Sequence, residues 1–256
     1  MSSWSSVIAD DGVWQTSLGL DLRNLAYREF ADNGELLDRE DGLLSGVVLG
    51  VTYASSKWEV SSHLSVDIGE VNYRGETNLG DKHRTDTDER FIELGVMVRR
   101  STLASQMKFH PYAGLSYQRW SRKIKSTPSV LGLNEEYAWW TGFVGAQYLV
   151  SKQPMGSLLI DGRVFYTVSP QVRVEFLDAH DPVTLALDAK PGIRIALPYV
   201  RKFSHHSILF EPYIERYEFG RSQTQALTIG GNPSGTVFEP NSETIDAGLR
   251  VIYTFE

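Results

Sequence analysis

The chain ends in the run S-E-T-I-D-A-G-L-R-V-I-Y-T-F-E, residues 242–256. From Ile245 onward every odd-numbered position is apolar, whereas most even-numbered positions are polar or glycine. This alternation with a period of two predicts a β-strand that has one apolar and one polar face. The aromatic residues Tyr253 and Phe255 lie at the C-terminal end of the apolar face, and Asp246 and Arg250 lie on the opposite face.

The same run resembles the terminal strand of bacterial outer-membrane β-barrels. In that strand a glycine and alternating apolar residues lead to a final aromatic residue, and the matching positions here are Gly248, Val251, Tyr253 and Phe255. The chain departs from the pattern because Glu256 follows the aromatic residue. The resemblance implies an outer-membrane protein that the barrel-assembly machinery recognises through this strand.

Composition narrows the alternatives. A chain of 256 residues can form one barrel or sandwich domain, or two smaller domains. It has no cysteine, which excludes disulfides, thiolate chemistry and Cys-ligated zinc, and its net charge of −7 argues against a nucleic-acid partner. No run approaches the ~20 apolar residues of a transmembrane helix. The sequence contains no signal peptide, so either it has been removed or the interpretation as an exported protein is wrong.

Alternating segments recur along the chain, separated by connections that are short and long in turn. Polar long loops are predicted at 31–42, 74–89, 126–134, 177–182 and 224–241. This arrangement predicts an all-β protein: a single antiparallel up-and-down transmembrane β-barrel of ten strands, or of twelve if Ser169–Pro170 forms a turn. Residues 1–11 are then an N-terminal periplasmic segment, and 12–256 form the barrel.

Aromatic residues mark one end of the predicted barrel. They lie on the outward face of several strands, next to the short turns, as expected for a girdle at the membrane interface. The girdle residues are Trp14, Tyr53, Trp58, Tyr148, Tyr199, Tyr253 and Phe255. A soluble lipocalin-like barrel or β-sandwich is the alternative, but its core would not require aromatic residues at one end. We therefore expect a bacterial outer-membrane location, with extracellular loops and periplasmic termini.

The polar faces of the segments define the predicted lumen. They carry Asp21, Arg23, Glu59, His63, Asp67, Glu93, Arg99, Asp161, Arg163, Arg194, Glu211, Glu215, Asp246 and Arg250. Each midplane arginine would cost about 2–4 kcal/mol against lipid, so these side chains must point inward. Ten strands enclose little space, and both charge signs are present. A largely plugged interior held by arginine–carboxylate pairs is favoured over a narrow acidic pore.

Two short motifs in the predicted long loops raise an enzymatic alternative. Asp86-Thr-Asp88 and Asp178-Ala-His180, together with ten strands, resemble the omptin family of outer-membrane proteases. The resemblance implies that the His–Asp pair activates a water molecule, which the opposing aspartates help to position, for endopeptidase cleavage near basic residues. Such acidic motifs also occur in solvated loops and in calcium-binding loops.

Two further histidine motifs are weaker signals. His63-Leu-Ser65 resembles outer-membrane phospholipases and lipid A deacylases, in which the pair faces lipid. Here Leu64 and Val66 occupy the lipid face, so an acyl hydrolase is disfavoured. His205-His206 lies in a short turn with no carboxylate beside it, and a solvated turn is expected there.

The sequence thus favours a non-enzymatic barrel that serves either loop-mediated interaction and adhesion or narrow solute passage. The expected partners are the lipid bilayer, including lipopolysaccharide, and the assembly machinery. No cofactor, metal or nucleic acid is expected.

Overall fold

In a computed structural model, described for residues 12–76, 82–100, 108–153, 156–177 and 179–255, the chain forms a closed antiparallel barrel of ten strands. The first seven strands are β1 (Val13–Phe30), β2 (Leu36–Ala54), β3 (Trp58–Glu76), β4 (Lys82–Arg100), β5 (Phe109–Ile124), β6 (Leu133–Gln153) and β7 (Gly156–Glu175). Each pairs with its neighbour in the chain. The up-and-down fold predicted from the alternation is therefore confirmed.

The eighth barrel strand is interrupted. It consists of β8 (Val183–Ala186), β9 (Asp188–Ala189), β10 (Pro191–Ala196) and β11 (Tyr199–Lys202). Proline has no N–H for the ladder, so Pro191 and Pro198 lie at the edges of these pieces. The backbone bonds still continue across the breaks, for example from the Leu159 N–H to the Pro198 carbonyl at 2.8 Å.

Closure joins the two ends of the chain. The ninth and tenth barrel strands are β12 (His206–Gly220) and β15 (Asn241–Phe255), and β15 pairs with both β12 and β1. In the β1 register Leu18 lies opposite Tyr253 and Asp21 lies opposite Arg250. Every barrel strand therefore has two neighbours, which removes the edge that an amphipathic terminal strand would otherwise expose. The sandwich alternative is excluded by this ring.

The twelve-strand alternative is wrong because Ser169–Pro170 does not form a turn. β7 continues through it, and the register against β6 shifts between Ala138 and Trp140. Ser169 adopts a positive φ of 50°, as expected where an extra residue is accommodated in a β-bulge.

Outward-facing side chains form an apolar band beside the short turns. On β1 the band runs from Trp14, which is 67% exposed, to Leu22, and on β3 it runs from Trp58 to Ile68. A tilted strand needs about 9–11 residues to cross a bilayer, but β6 has 21 residues and β3 has 19. The barrel therefore extends well beyond the band at its long-loop end.

This extension corrects the predicted loops. β2 begins at Leu36, inside the loop expected at 31–42, and β3 and β4 together occupy most of the loop expected at 74–89. The last long loop contains a separate hairpin, β13 (Gln225–Ile229) with β14 (Asn232–Val237). Among the described residues no helix is long and apolar enough to cross a membrane.

Candidate functional site

The inward charges that the sequence identifies are arranged as ion pairs across the barrel interior. Arg250 contacts Asp21 at 2.7 Å, Arg23 contacts Asp246 at 3.5 Å, and Arg163 contacts Glu215 at 2.6 Å. The remaining pairs are Arg194 with Glu211 and Glu215, Arg99 with Glu59, and His63 with Glu93. Asp67 and Asp161 are buried, and Asp161 accepts a hydrogen bond from the Tyr112 hydroxyl at 2.8 Å.

A second charged cluster lies beyond the apolar band, towards the long loops. Its centre is Arg122 on β5, which is fully buried. Its guanidinium contacts Glu135 at 2.6 Å, Glu29 at 3.2 Å and Glu40 at 3.3 Å, and Glu89 lies 3.9 Å away. The guanidinium also packs over the Tyr27 ring, 4.1 Å from its centroid. We call this arginine, these four glutamates, Tyr27, Tyr137 and Glu239 the plug cluster.

Aromatic rings surround the plug cluster and complete the filling of the barrel. Phe91 stacks on Trp120 with centroids 4.8 Å apart, Trp120 stacks on Tyr137 at 4.9 Å, and Tyr137 stacks on Phe219 at 6.0 Å. This row of rings runs from β4 across the interior to β12. The buried apolar core around it also draws side chains from β1, β2, β3, β7 and β8. Side chains from almost the whole circumference therefore meet in one packed layer.

Glu239 joins the plug cluster from the loop between β14 and β15. The Tyr137 hydroxyl donates a hydrogen bond to its carboxylate, and the side chain is buried. Burial raises the pKa of Glu239 well above its usual value, and the nearby Glu135 and Glu29 carboxylates raise it further. A protonated Glu239 reduces the excess of negative charge around the single guanidinium.

Sequence reasoning missed the plug cluster although a signal for it is present. Trp120 and Arg122 share one face of β5, and Glu89 and Phe91 share one face of β4. The rule that every second residue of a strand faces the lumen therefore holds beyond the apolar band as well as within it.

The structure places the first predicted protease motif on a strand rather than in a loop. Asp86 and Asp88 belong to β4, are exposed, and flank the buried Thr87. Because alternate side chains of a strand share a face, both carboxylates point away from the interior. Asp88 is paired with Lys125 at 2.9 Å, and Lys125 also contacts Glu70. The loop position predicted for Asp86 and Asp88 is therefore wrong.

The second predicted motif lies after β7. Asp178 is outside the described residues, and the His180 ring packs edge-on against Phe176 with centroids 5.4 Å apart. Within the described residues, no contact joins His180 to Asp86 or Asp88. The neighbouring Asp181 instead anchors the β13–β14 hairpin, because it accepts hydrogen bonds from Thr228 Oγ1 at 2.6 Å and the Gly231 N–H at 2.9 Å.

The other two histidine motifs have structural partners. His63 Nε2 lies 3.6 Å from Glu93, and Ser65 is buried in the interior, so neither faces lipid. His206 stacks between Phe203 and Tyr253 at centroid distances of 4.5 and 5.0 Å. In the part of the chain that the structure describes, no group of three or more histidines and carboxylates is arranged to hold a metal ion.

The aromatic residues expected at the girdle lie together next to the short turns. Trp14 is opposite Tyr53 and their rings are 5.1 Å apart, while Tyr253 and Phe255 are in edge contact at 4.6 Å. Trp58, Tyr148 and Tyr199 are exposed on the outer surface. Residues 1–11, expected to form a periplasmic segment, lie outside the described residues.

Structural comparison identifies similar barrels. The outer membrane protease OmpT from Escherichia coli is similar with a TM-score of 0.62 and 10% identity, covering 96% of this chain and 97% of that one. The translocator domain of the autotransporter NalP from Neisseria meningitidis has a TM-score of 0.50 and 9% identity, covering 98% and 90%. No protein-family model and no curated protein sequence matches the chain. The chain thus has the fold of bacterial outer-membrane β-barrels, as its last strand predicts.

Proposed function

We propose that the protein is an outer-membrane barrel with a closed lumen, and that its long-loop end is a binding surface. The plug cluster is the observation that carries this proposal. A buried guanidinium, its glutamates and a row of stacked rings occupy the interior where a solute would have to pass. A closed, rigid scaffold suits recognition by its loops better than transport.

The β13–β14 hairpin is the best candidate for the recognition element. Among the described residues it forms a two-stranded sheet separate from the barrel, and it presents Ile229, which is 53% exposed, together with a glycine-rich turn. Asp181 holds the turn through Thr228, Gly230 and Gly231. This anchoring gives the hairpin a defined position, which lowers the entropy cost of binding.

The binding role is tested by replacing residues 225–237 with a short Gly-Ser turn. Cells that display the wild-type barrel should adhere to at least one of a panel of immobilised matrix proteins or glycans, and the replacement should abolish that adhesion. A replacement at 31–35, in the β1–β2 loop, is the matched control. Adhesion that survives loss of the hairpin but disappears with the control would contradict the proposal.

Lipopolysaccharide remains the lipid partner that we propose at the long-loop end. A groove of about 210 Å³ on the outer surface is lined by Tyr117, Arg119, Glu136 and Arg173, among others. Its mixture of guanidinium and carboxylate groups suits phosphate and sugar groups, the latter by hydrogen bonding. Adding lipopolysaccharide should raise the Tm of the wild-type protein. Loss of this rise in the variant Arg119→Gln with Arg173→Gln would support the assignment, and an unchanged rise would oppose it.

The enzymatic alternatives have less support. An omptin-like protease needs Asp86 and Asp88 to face a shared cleft with His180, but both carboxylates point outward. An acyl hydrolase needs His63 and Ser65 at the lipid face, but both lie inside. Peptide cleavage that is present in the wild type and absent in His180→Ala would instead support the protease hypothesis.

A further inference from the structure

The short-turn end of the barrel carries an unusual concentration of positive charge. Its exposed cationic side chains are Lys57, Arg100, Lys108, Lys152, Arg201 and Lys202. Among the residues described at this end, no aspartate or glutamate is exposed, and Glu59 is buried inside against Arg99. The chain as a whole has a net charge of −7, so composition does not account for this concentration.

At the long-loop end exposed carboxylates lie among the outward cations, and several of these cations are paired with them. Arg119 pairs with Glu136 at 3.1 Å, and Arg173 pairs with Glu175 at 3.1 Å. Arg216 pairs with Glu243 at 2.6 Å. The two ends of the barrel therefore present distinct electrostatic surfaces, and only the short-turn end has a uniform sign among its described exposed charges.

Two of the arginines point towards the membrane rather than along the barrel axis. Arg100 ends the apolar face of β4 after Val96 and Val98, and it lies opposite Trp58 in the register. Arg201 shares the outward face of β11 with Tyr199. Alternation along a strand puts each guanidinium on the lipid-facing side of its strand, at the edge of the aromatic girdle.

Aromatic rings extend from Arg201 along the outer surface. Its guanidinium lies 5.3 Å from the Phe203 ring centroid, Phe203 stacks on His206, and His206 stacks on Tyr253. Rings at this depth bind the interfacial region of a bilayer, where headgroups begin. The strip thus combines an interfacial anchor with a guanidinium that has no carboxylate partner among the described residues.

We propose that the short-turn end binds the headgroups of anionic phospholipids, with Arg100 and Arg201 each holding a phosphate. Guanidinium groups suit phosphate because they donate two parallel hydrogen bonds. The inference rests on the proposed membrane insertion of the barrel. The outward direction of both arginines favours lipid over a polymer in the aqueous space below the membrane, such as peptidoglycan.

Fluorescence quenching by brominated lipids tests the proposal. The protein carries Trp140→Phe, so that Trp14 and Trp58 are the outward-facing tryptophans of the described residues, and it is folded into phosphatidylcholine vesicles. Brominated phosphatidylglycerol is compared with brominated phosphatidylcholine, and the ratio of their binding constants is measured. One interfacial cation increases binding by about fivefold, so we expect a ratio of about five or more, which decreases in high salt.

Arg100→Gln with Arg201→Gln should bring this ratio close to one. Arg74→Gln with Arg216→Gln removes the same charge from two exposed side chains at the other end and should leave the ratio unchanged. A wild-type ratio near one overturns the proposal, and so does a ratio that Arg100→Gln with Arg201→Gln leaves unaltered. Co-sedimentation with peptidoglycan tests the alternative partner. If the wild type shows no lipid preference and the two substitutions abolish co-sedimentation with peptidoglycan, the proposal is also overturned. No quenching by either lipid would instead contradict membrane insertion itself.

Discussion

Replacing Arg122 with methionine should destabilise the barrel more than any exposed charge substitution. Methionine keeps much of the length of the side chain but removes the guanidinium that Glu29, Glu40 and Glu135 contact at 2.6–3.3 Å. Removing one partner of a buried ion pair typically costs about 3–5 kcal/mol, because the remaining charge is left uncompensated. Several carboxylates share this one cation, so we expect a loss in that range or at its upper end.

Urea unfolding of the protein in detergent micelles, followed by heat-modifiable migration on gels, measures this loss. Arg173→Met is the matched control, because Arg173 pairs with Glu175 while both side chains are about half exposed. An exposed pair contributes about 0–1 kcal/mol, so the control should remain close to wild type.

The charge argument also predicts a rescue. In Arg122→Met, the additional substitutions Glu40→Gln and Glu135→Gln keep the side-chain shapes and remove two buried negative charges. They should restore at least half of the lost stability. The reasoning is refuted if the free energy of unfolding of Arg122→Met lies within about 1 kcal/mol of the wild-type value, or if the two additional substitutions restore none of the loss.

Other consequences concern pH and the hairpin. The pKa of Glu239 is raised in the folded state, so the protonated side chain stabilises the fold below the unfolded pKa, and this contribution is lost as pH rises through the folded pKa. The urea midpoint of Glu239→Gln should therefore fall less with rising pH than the wild-type midpoint. Equal pH dependence of the two midpoints would contradict this. Hydrogen bonds from Thr228, Gly231 and Gly230 lower the pKa of Asp181, so its stabilising contribution is present above the unfolded pKa and is lost as pH falls through the folded pKa. Asp181→Ala should therefore speed hydrogen exchange in β13 and β14 without changing the midpoint of global unfolding, and unaltered exchange would show that Asp181 does not anchor the hairpin.

The barrel could be predicted from the sequence because lipid imposes a simple pattern. Within the band most outward residues are apolar, so Leu18, Leu20 and Leu22 on β1 alternate with glycine and polar residues. The same pattern identified Asp21 and Arg250 on the opposite face, and the structure joins them at 2.7 Å. Strand number and closure follow from these segments and from their short and long connections.

The upper part of the barrel could not be predicted in this way. Beyond the band the outward face meets water, so Asp86, Asp88 and Arg90 alternate with inward Thr87 and Glu89, and both faces are polar. The alternation of apolar and polar residues disappears there, although the strand and the inward parity of its alternate residues continue, so the sequence predicts a loop. The plug cluster was missed for this reason, because its members come from segments distant in the chain that only the register brings together.

Planar-bilayer conductance tests the central claim of a closed lumen most directly. Folded wild-type protein, inserted from detergent at known density, should give no sustained current at either polarity, because the plug cluster and its stacked rings fill the interior. Trp120→Ala with Tyr137→Ala, which removes two rings of the stack, provides the comparison and should conduct. Stable, uniform conductance steps from the wild-type barrel would contradict the account.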